Sequence, residues 1–163
     1  MRNLIGNVWK RLNIVKKKNE QNKLIYQINI ENAKKGDEKA QYVIGYMYHK
    51  GKGVPKNYVK AADWYKKAAE HKNTKALNNL AYLYQKGKGV NKDIHKAEQL
   101  LLKSAKQGDD VACLNLGILY QTGKLGTANM EDAEYWYRKA MDKGNPTATR
   151  IYRRIQSMEQ KEN

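Results

Sequence analysis

A chain of 163 residues with 32 Lys and Arg against 16 Asp and Glu, a formal charge of +16, has the length of one domain and a charge that points to an acidic partner. Its one cysteine, Cys113, excludes an intrachain disulfide and a thiolate metal site, and no apolar run approaches the roughly 18 residues of a spanning helix. Trp9, Lys10 and Arg11 interrupt any signal-peptide core, so a cytoplasmic protein is expected. Phe is absent while Tyr numbers 12, so aromatic packing falls to rings that keep one polar tip.

Residues 1–20 carry Arg2, Lys10, Arg11, Lys16, Lys17 and Lys18 against Glu20 alone. Leu4, Ile5, Val8, Trp9, Leu12 and Val15 share one helical face. Such a basic amphipathic helix either anchors on an anionic membrane or a partner through Leu4, Ile5, Val8, Trp9 and Leu12, or covers the open end of a helical array.

From Asn22 onward the chain repeats itself. Ala40 returns as Ala76, Ala112 and Ala148, and Tyr48 as Tyr84 and Tyr120, always 36 residues on. A fixed period of this size is the mark of a solenoid, whose units bury their apolar faces by stacking on each other. Residues 21–36 read as a half-repeat that keeps Ile25 and Ile28 where the next unit has Ala61 and Trp64. Complete units follow at 37–72, 73–108 and 109–144, each a helix A, a glycine loop and a helix B.

Helix A starts after Asp37, Asn73, Asp109 or Asn145, and helix B after Asn57, Asp93 or Asn129, all good N-cap types in strict register. Helix A carries Ala40, Ile44 and Tyr48 and their copies on one stripe, with small residues at Gly45, Ala81 and Gly117 that admit a close neighbour. Helix B carries Ala61, Trp64, Tyr65 and Ala68, repeated as Ala97, Leu100, Leu101 and Ser104 and as Ala133, Trp136, Tyr137 and Ala140. A last helix A at 145–158 bears Arg153 where the small residues stood, which makes it a polar cap, and residues 159–163 are expected to fray.

The run Ile44-Gly45, Tyr48, Gly51-Lys52-Gly53-Val54, Lys60-Ala61 and Trp64-Tyr65-Lys66-Lys67-Ala68-Ala69 resembles the Sel-one-like repeat, a longer-looped relative of the tetratricopeptide repeat. The resemblance implies an all-α, right-handed α-solenoid of stacked helix-turn-helix repeats that works as a protein-binding adaptor or scaffold. Bacterial members also resemble immunity proteins that block a toxic effector. Lys72 in place of the unit-ending glycine, Leu100-Leu101 in place of the aromatic pair, and the altered third loop Gly123-Lys124-Leu125-Gly126 depart from the pattern. The paired cysteines of some members are missing.

No residue set here carries catalysis. His49, His71 and His95 fall at unrelated places in the unit, and zinc needs three or four convergent ligands, so neither a metal nor another cofactor is expected. The Gly-Lys-Gly loops lack both the spacing and the preceding strand of a phosphate cradle. Cys113 reads as a small packed residue.

The resemblance places the helix A positions beside the packed stripe on the concave surface. In the first unit these are Lys39, Tyr42, Tyr46, His49 and Lys50. The second has Lys75, Asn78, Tyr82, Gln85 and Lys86, the third Val111, Leu114 and Ile118, and the last helix Arg150 and Arg154. No Asp or Glu is among them. Cations interleaved with tyrosines and ending in an apolar patch suit an acidic protein or peptide with apolar anchors, a toxic effector included. The alternatives are nucleic acid, motivated by the net charge, and an anionic membrane reached through the N-terminal segment. A monomer is expected.

Overall fold

The computed structural model describes the backbone of residues 2–162 and the side chains of 11–158 and 160. Among the described residues there is no strand; the helices are α1 (Arg2–Lys34), α2 (Glu38–Lys50), α3 (Tyr58–Glu70), α4 (Thr74–Lys86), α5 (Ile94–Ala105), α6 (Asp110–Gln121), α7 (Met130–Asp142) and α8 (Pro146–Glu162). Each packs on the next in chain order, and α2 also touches α4. The result is an α-solenoid in which α2, α4, α6 and α8 are the A helices.

Caps decide where the helices begin. The side-chain oxygens of Asp37, Asn73, Asp109 and Asn145 accept the amide hydrogens of Ala40, Ala76, Ala112 and Ala148 at 2.6, 3.0, 2.7 and 3.0 Å. Asn57, Asp93 and Asn129 do the same for Lys60, Lys96 and Asp132. Each cap satisfies one orphan donor, worth about 1 kcal/mol.

Close approach of A to B depends on matched sizes. A Cβ on Gly45 would stand 2.7 Å from the Tyr65 ring, and one on Gly117 2.5 Å from the Tyr137 ring; both rings are fully buried. In the middle unit Ala81 and Leu101 share one buried cluster instead. Arg153, the fourth member of this series, is exposed.

The N-terminal register reading divides 1–20 from 21–36, whereas the chain runs through both as one 33-residue helix. Among the described residues its C-terminal part meets the array: Tyr26, Ile30 and Ala33 pack against α2, and the Tyr26 hydroxyl lies 2.9 Å from that of Tyr48. Residues 11–20 are all exposed, Leu12 and Val15 included. Of the expected anchor, the side chains of Leu4, Ile5, Val8 and Trp9 lie outside the described residues. Ile25 and Ile28, the register equivalents of Ala61 and Trp64, are also exposed. At the other end α8 continues to Glu162, past the expected 158.

The third loop differs as its sequence implies. Gly53 lies against the backbone of Asn22 and Gly89 against that of Tyr58, so the first two loops rest on the helix before them. A Cβ on Gly126 would meet nothing within 4 Å, while Leu125 packs against the buried cluster built from α4 to α8. Among the described residues no helix is long and apolar enough to cross a membrane.

Candidate partner-binding surface

The face made by α2 and α4 gathers rings around one buried imidazole. His49, 7 % exposed, has its Nδ1 3.2 Å from the Tyr65 hydroxyl. Its ring stacks on Tyr82 at 5.7 Å between centroids and meets Tyr58 edge-on at 5.6 Å. Tyr42 joins through Tyr65 and Tyr46, at 6.0 and 6.3 Å. Burial, and then the charges of Lys50, Lys88 and Lys56, hold the His49 pKa below its ordinary value, so the ring is neutral near pH 7.

Ammonium groups sit over the outer rings. Lys50 and Lys52 lie 5.9 and 5.1 Å from the Tyr46 centroid, and Lys88 lies 5.2 and 5.5 Å from those of Tyr58 and Tyr82. Lys88 also reaches the Tyr82 hydroxyl at 3.4 Å, and that hydrogen bond, with the neighbouring tyrosines, raises its pKa. Such contacts are worth about 0.5–1 kcal/mol each at exposed sites and leave the cation accessible. Among the described residues the ion pairs are Lys34–Glu31 and Lys66–Asp63, both within one helix, so these lysines have no carboxylate partner.

The expected positions thus divide by role. Lys39, Lys50, Lys75, Tyr82, Lys86, Val111, Ile118, Arg150 and Arg154 are exposed, and Tyr42, Tyr46, Asn78, Gln85 and Leu114 half-buried. His49 supports the rings from beneath. Asn78 donates to Asp109 at 2.9 Å, which ties α4 to the start of α6 and sets a carboxylate beside a position expected to be free of them. Lys52, Lys88 and Tyr58 went unforeseen. Lys52 and Lys88 do share one register position in the first two glycine loops, which was the available signal.

Among the described residues no group of three or more His, Cys, Asp and Glu could hold a metal ion. Cys113 is buried and its thiol pKa is pushed up by burial, the opposite of an activated nucleophile.

Stacked helix pairs with a 36-residue period, presenting rings and cations jointly, define an α-solenoid repeat protein. The chain belongs to the Sel1 repeat family, whose model matches residues 38–73, 74–109 and 110–145. It is 38 % identical to the Sel1 repeat protein of Oxalobacter formigenes, with a TM-score of 0.65 over 72 % of this chain and 47 % of that one. Cysteine rich protein B of Helicobacter pylori shares the fold, with a TM-score of 0.63 at 24 % identity over 82 % of this chain and 96 % of that one. Among curated proteins, the chitin synthase regulator SKT5 of Saccharomyces cerevisiae is 40 % identical over 53 residues, 32 % of this chain and 8 % of its own length. The chain therefore spans less than a tenth of that regulator and about half of the Oxalobacter protein. Sel1 repeat proteins are in general scaffolds for protein interaction.

Proposed function

We propose that this protein is a non-enzymatic scaffold whose A-helix face, the inner curve of the solenoid, binds an acidic segment of another protein. One observation carries the reading: Lys50, Lys52 and Lys88 stand over tyrosine faces with no carboxylate ion-paired to them among the described residues. A partner carboxylate meets cations already positioned, and its apolar neighbours meet Tyr46, Tyr82 and, further along, Val111 and Ile118. Tyr is a usual hot-spot residue, and a positive face speeds encounter with an acidic one. The most concrete version is an adaptor or an immunity-type inhibitor of a toxic effector.

Fluorescence anisotropy with a labelled peptide of alternating Glu and Leu tests it. Binding is expected to drop at least tenfold in Tyr46→Ala/Lys88→Glu, a loss of about 1.4 kcal/mol or more. Unchanged affinity in that variant would count decisively against the face. A short DNA duplex is the competing ligand, since the net charge also fits phosphate. Tighter binding of the duplex with a steep salt slope would replace the acidic protein by nucleic acid.

A further inference from the structure

A cleft of about 490 Å³ opens between α3, α4 and α5, floored by Leu80, Tyr84 and Leu100 and rimmed by Lys66, Lys96 and Lys103. It lies on the flank of α4 away from Tyr82, since Tyr82 and Tyr84 stand about 200° apart around the helix.

The other two units show what belongs there. Leu100 occupies the position of Trp64 and Trp136. Trp64 packs into a cluster that includes Ile30, and Trp136 into one that includes Leu102; in this register the middle unit has Lys66. Units one and three therefore carry an indole and an aliphatic residue at these two positions, each packed against the same buried cluster. The middle unit has removed the indole and put a cation at the second position.

A second correspondence points the same way. Lys67 holds its ammonium 4.5 Å from the centroid of the Trp64 ring. Its counterpart 36 residues on is Lys103, which lines the cleft, has no ring beneath it, and makes no ion pair among the described residues. Lys96 still sits over Tyr84 at 5.9 Å, as Lys60 sits over Tyr48 at 5.4 Å. Of the pair that closes unit one, the cation is kept and the ring is missing.

We propose that this cleft receives an aromatic side chain, indole being the best match, from an acidic segment of a partner protein. The ring takes the place Trp64 and Trp136 fill in their own units and lies under Lys103. Carboxylates beside it meet Lys96 and Lys103, because Glu70 on the α3 wall repels them there. This site is separate from the A-helix face and stands or falls without it.

The probe is Ac-Glu-Trp-Glu-NH2, titrated to about 10 mM into the full-length 15N-labelled chain. Amide shifts are expected at 66–70, 77–84 and 96–103, saturating with a Kd on the order of 1 mM. Leu100→Trp fills the cleft from within and abolishes them, Lys103→Ala weakens binding roughly two- to fivefold, and Tyr82→Ala changes nothing. An equal response to Ac-Glu-Ala-Glu-NH2, or a Leu100→Trp chain that still responds, would overturn the proposal. Should Leu100→Trp not fold, the surface variant Lys66→Glu/Lys103→Glu decides, and retained binding there refutes the site. Free indole-3-acetate binding more tightly than the peptide would refute a protein segment as the occupant.

Discussion

The first and third units close their helix pairs with a tyrosine pressed onto a glycine, and the middle unit with a leucine near an alanine. Each buried tyrosine brings a hydroxyl that must be satisfied, and the same register position supplies the partner: His49 for Tyr65, and Gln121, which accepts from Tyr137 at 2.6 Å. Gln85 stands at that position in the middle unit, where Leu101 offers it no hydroxyl. Small residue, core residue and polar partner thus form a coupled set. Two different sets meet the same demand for a close-packed, fully paired seam.

The largest effect that tests this coupling comes from emptying the seam. Tyr65→Ala is expected to cost about 3–5 kcal/mol in urea unfolding, since it opens a cavity and leaves His49 without its hydroxyl. Leu101→Ala, which opens only a cavity, should cost about 2–4 kcal/mol. A leucine variant less stable than the tyrosine variant would break the comparison. Conversion sharpens it. Leu101→Tyr alone overpacks against Ala81 and costs about 1–3 kcal/mol, whereas adding Ala81→Gly makes room and lets Gln85 accept the new hydroxyl. The double-mutant cycle should show a favourable coupling of about 1 kcal/mol or more, and strict additivity would mean the sets are independent.

How much of this was legible depended on whether one residue or several decided a feature. The seven N-caps and the sizes at Gly45, Ala81 and Gly117 follow from local rules applied at a known register. The helix A tyrosines could be placed for the same reason. Lys52, Lys88 and Tyr58 could not, because their ammonium and ring positions depend on how a loop from one unit rests on the helix before it. The role of His49 was hidden too: that it caps a buried hydroxyl is visible only once Tyr65 is known to be fully enclosed. The division of the N-terminal helix at residue 20 rested on register alone: Asn19 and Asn22 are able to cap a helix there, yet both lie inside the continuous α1, and no proline enforces a break.

A smaller effect separates His49 from Gln121 by pH. Burial and the nearby lysines depress the His49 pKa in the folded chain, while in the unfolded chain it returns to about 6.5. Between those two values the unfolded chain holds more protons. Stability therefore rises with pH across that window, is complete above it, and is lost as pH falls through it. His49→Gln, which copies the third unit, should remove this part of the dependence while keeping a polar group for Tyr65. Unfolding free energies at roughly pH 5 and pH 7 check it. Slopes that match in the two proteins would show that His49 does not titrate with folding.

The smallest expected effect lies at the end of helix B, where the first unit differs from both its neighbours. Gly108 and Gly144 turn the chain with φ of +88° and +85°, and Lys72 makes the equivalent turn at +63°. A side chain in this conformation costs about 1–2 kcal/mol, and glycine returns part of that through its greater freedom when unfolded. Lys72→Gly should therefore stabilise by a few tenths of a kcal/mol up to about 1 kcal/mol. The reciprocal change, Gly144→Ala, should destabilise by about 1 kcal/mol, and since a Cβ there would meet nothing within 4 Å, backbone conformation is what it measures. If Gly144→Ala costs stability while Lys72→Gly gains none, the Lys72 side chain repays its strain through contacts of its own, and the first unit is relaxed in a way its backbone angle conceals.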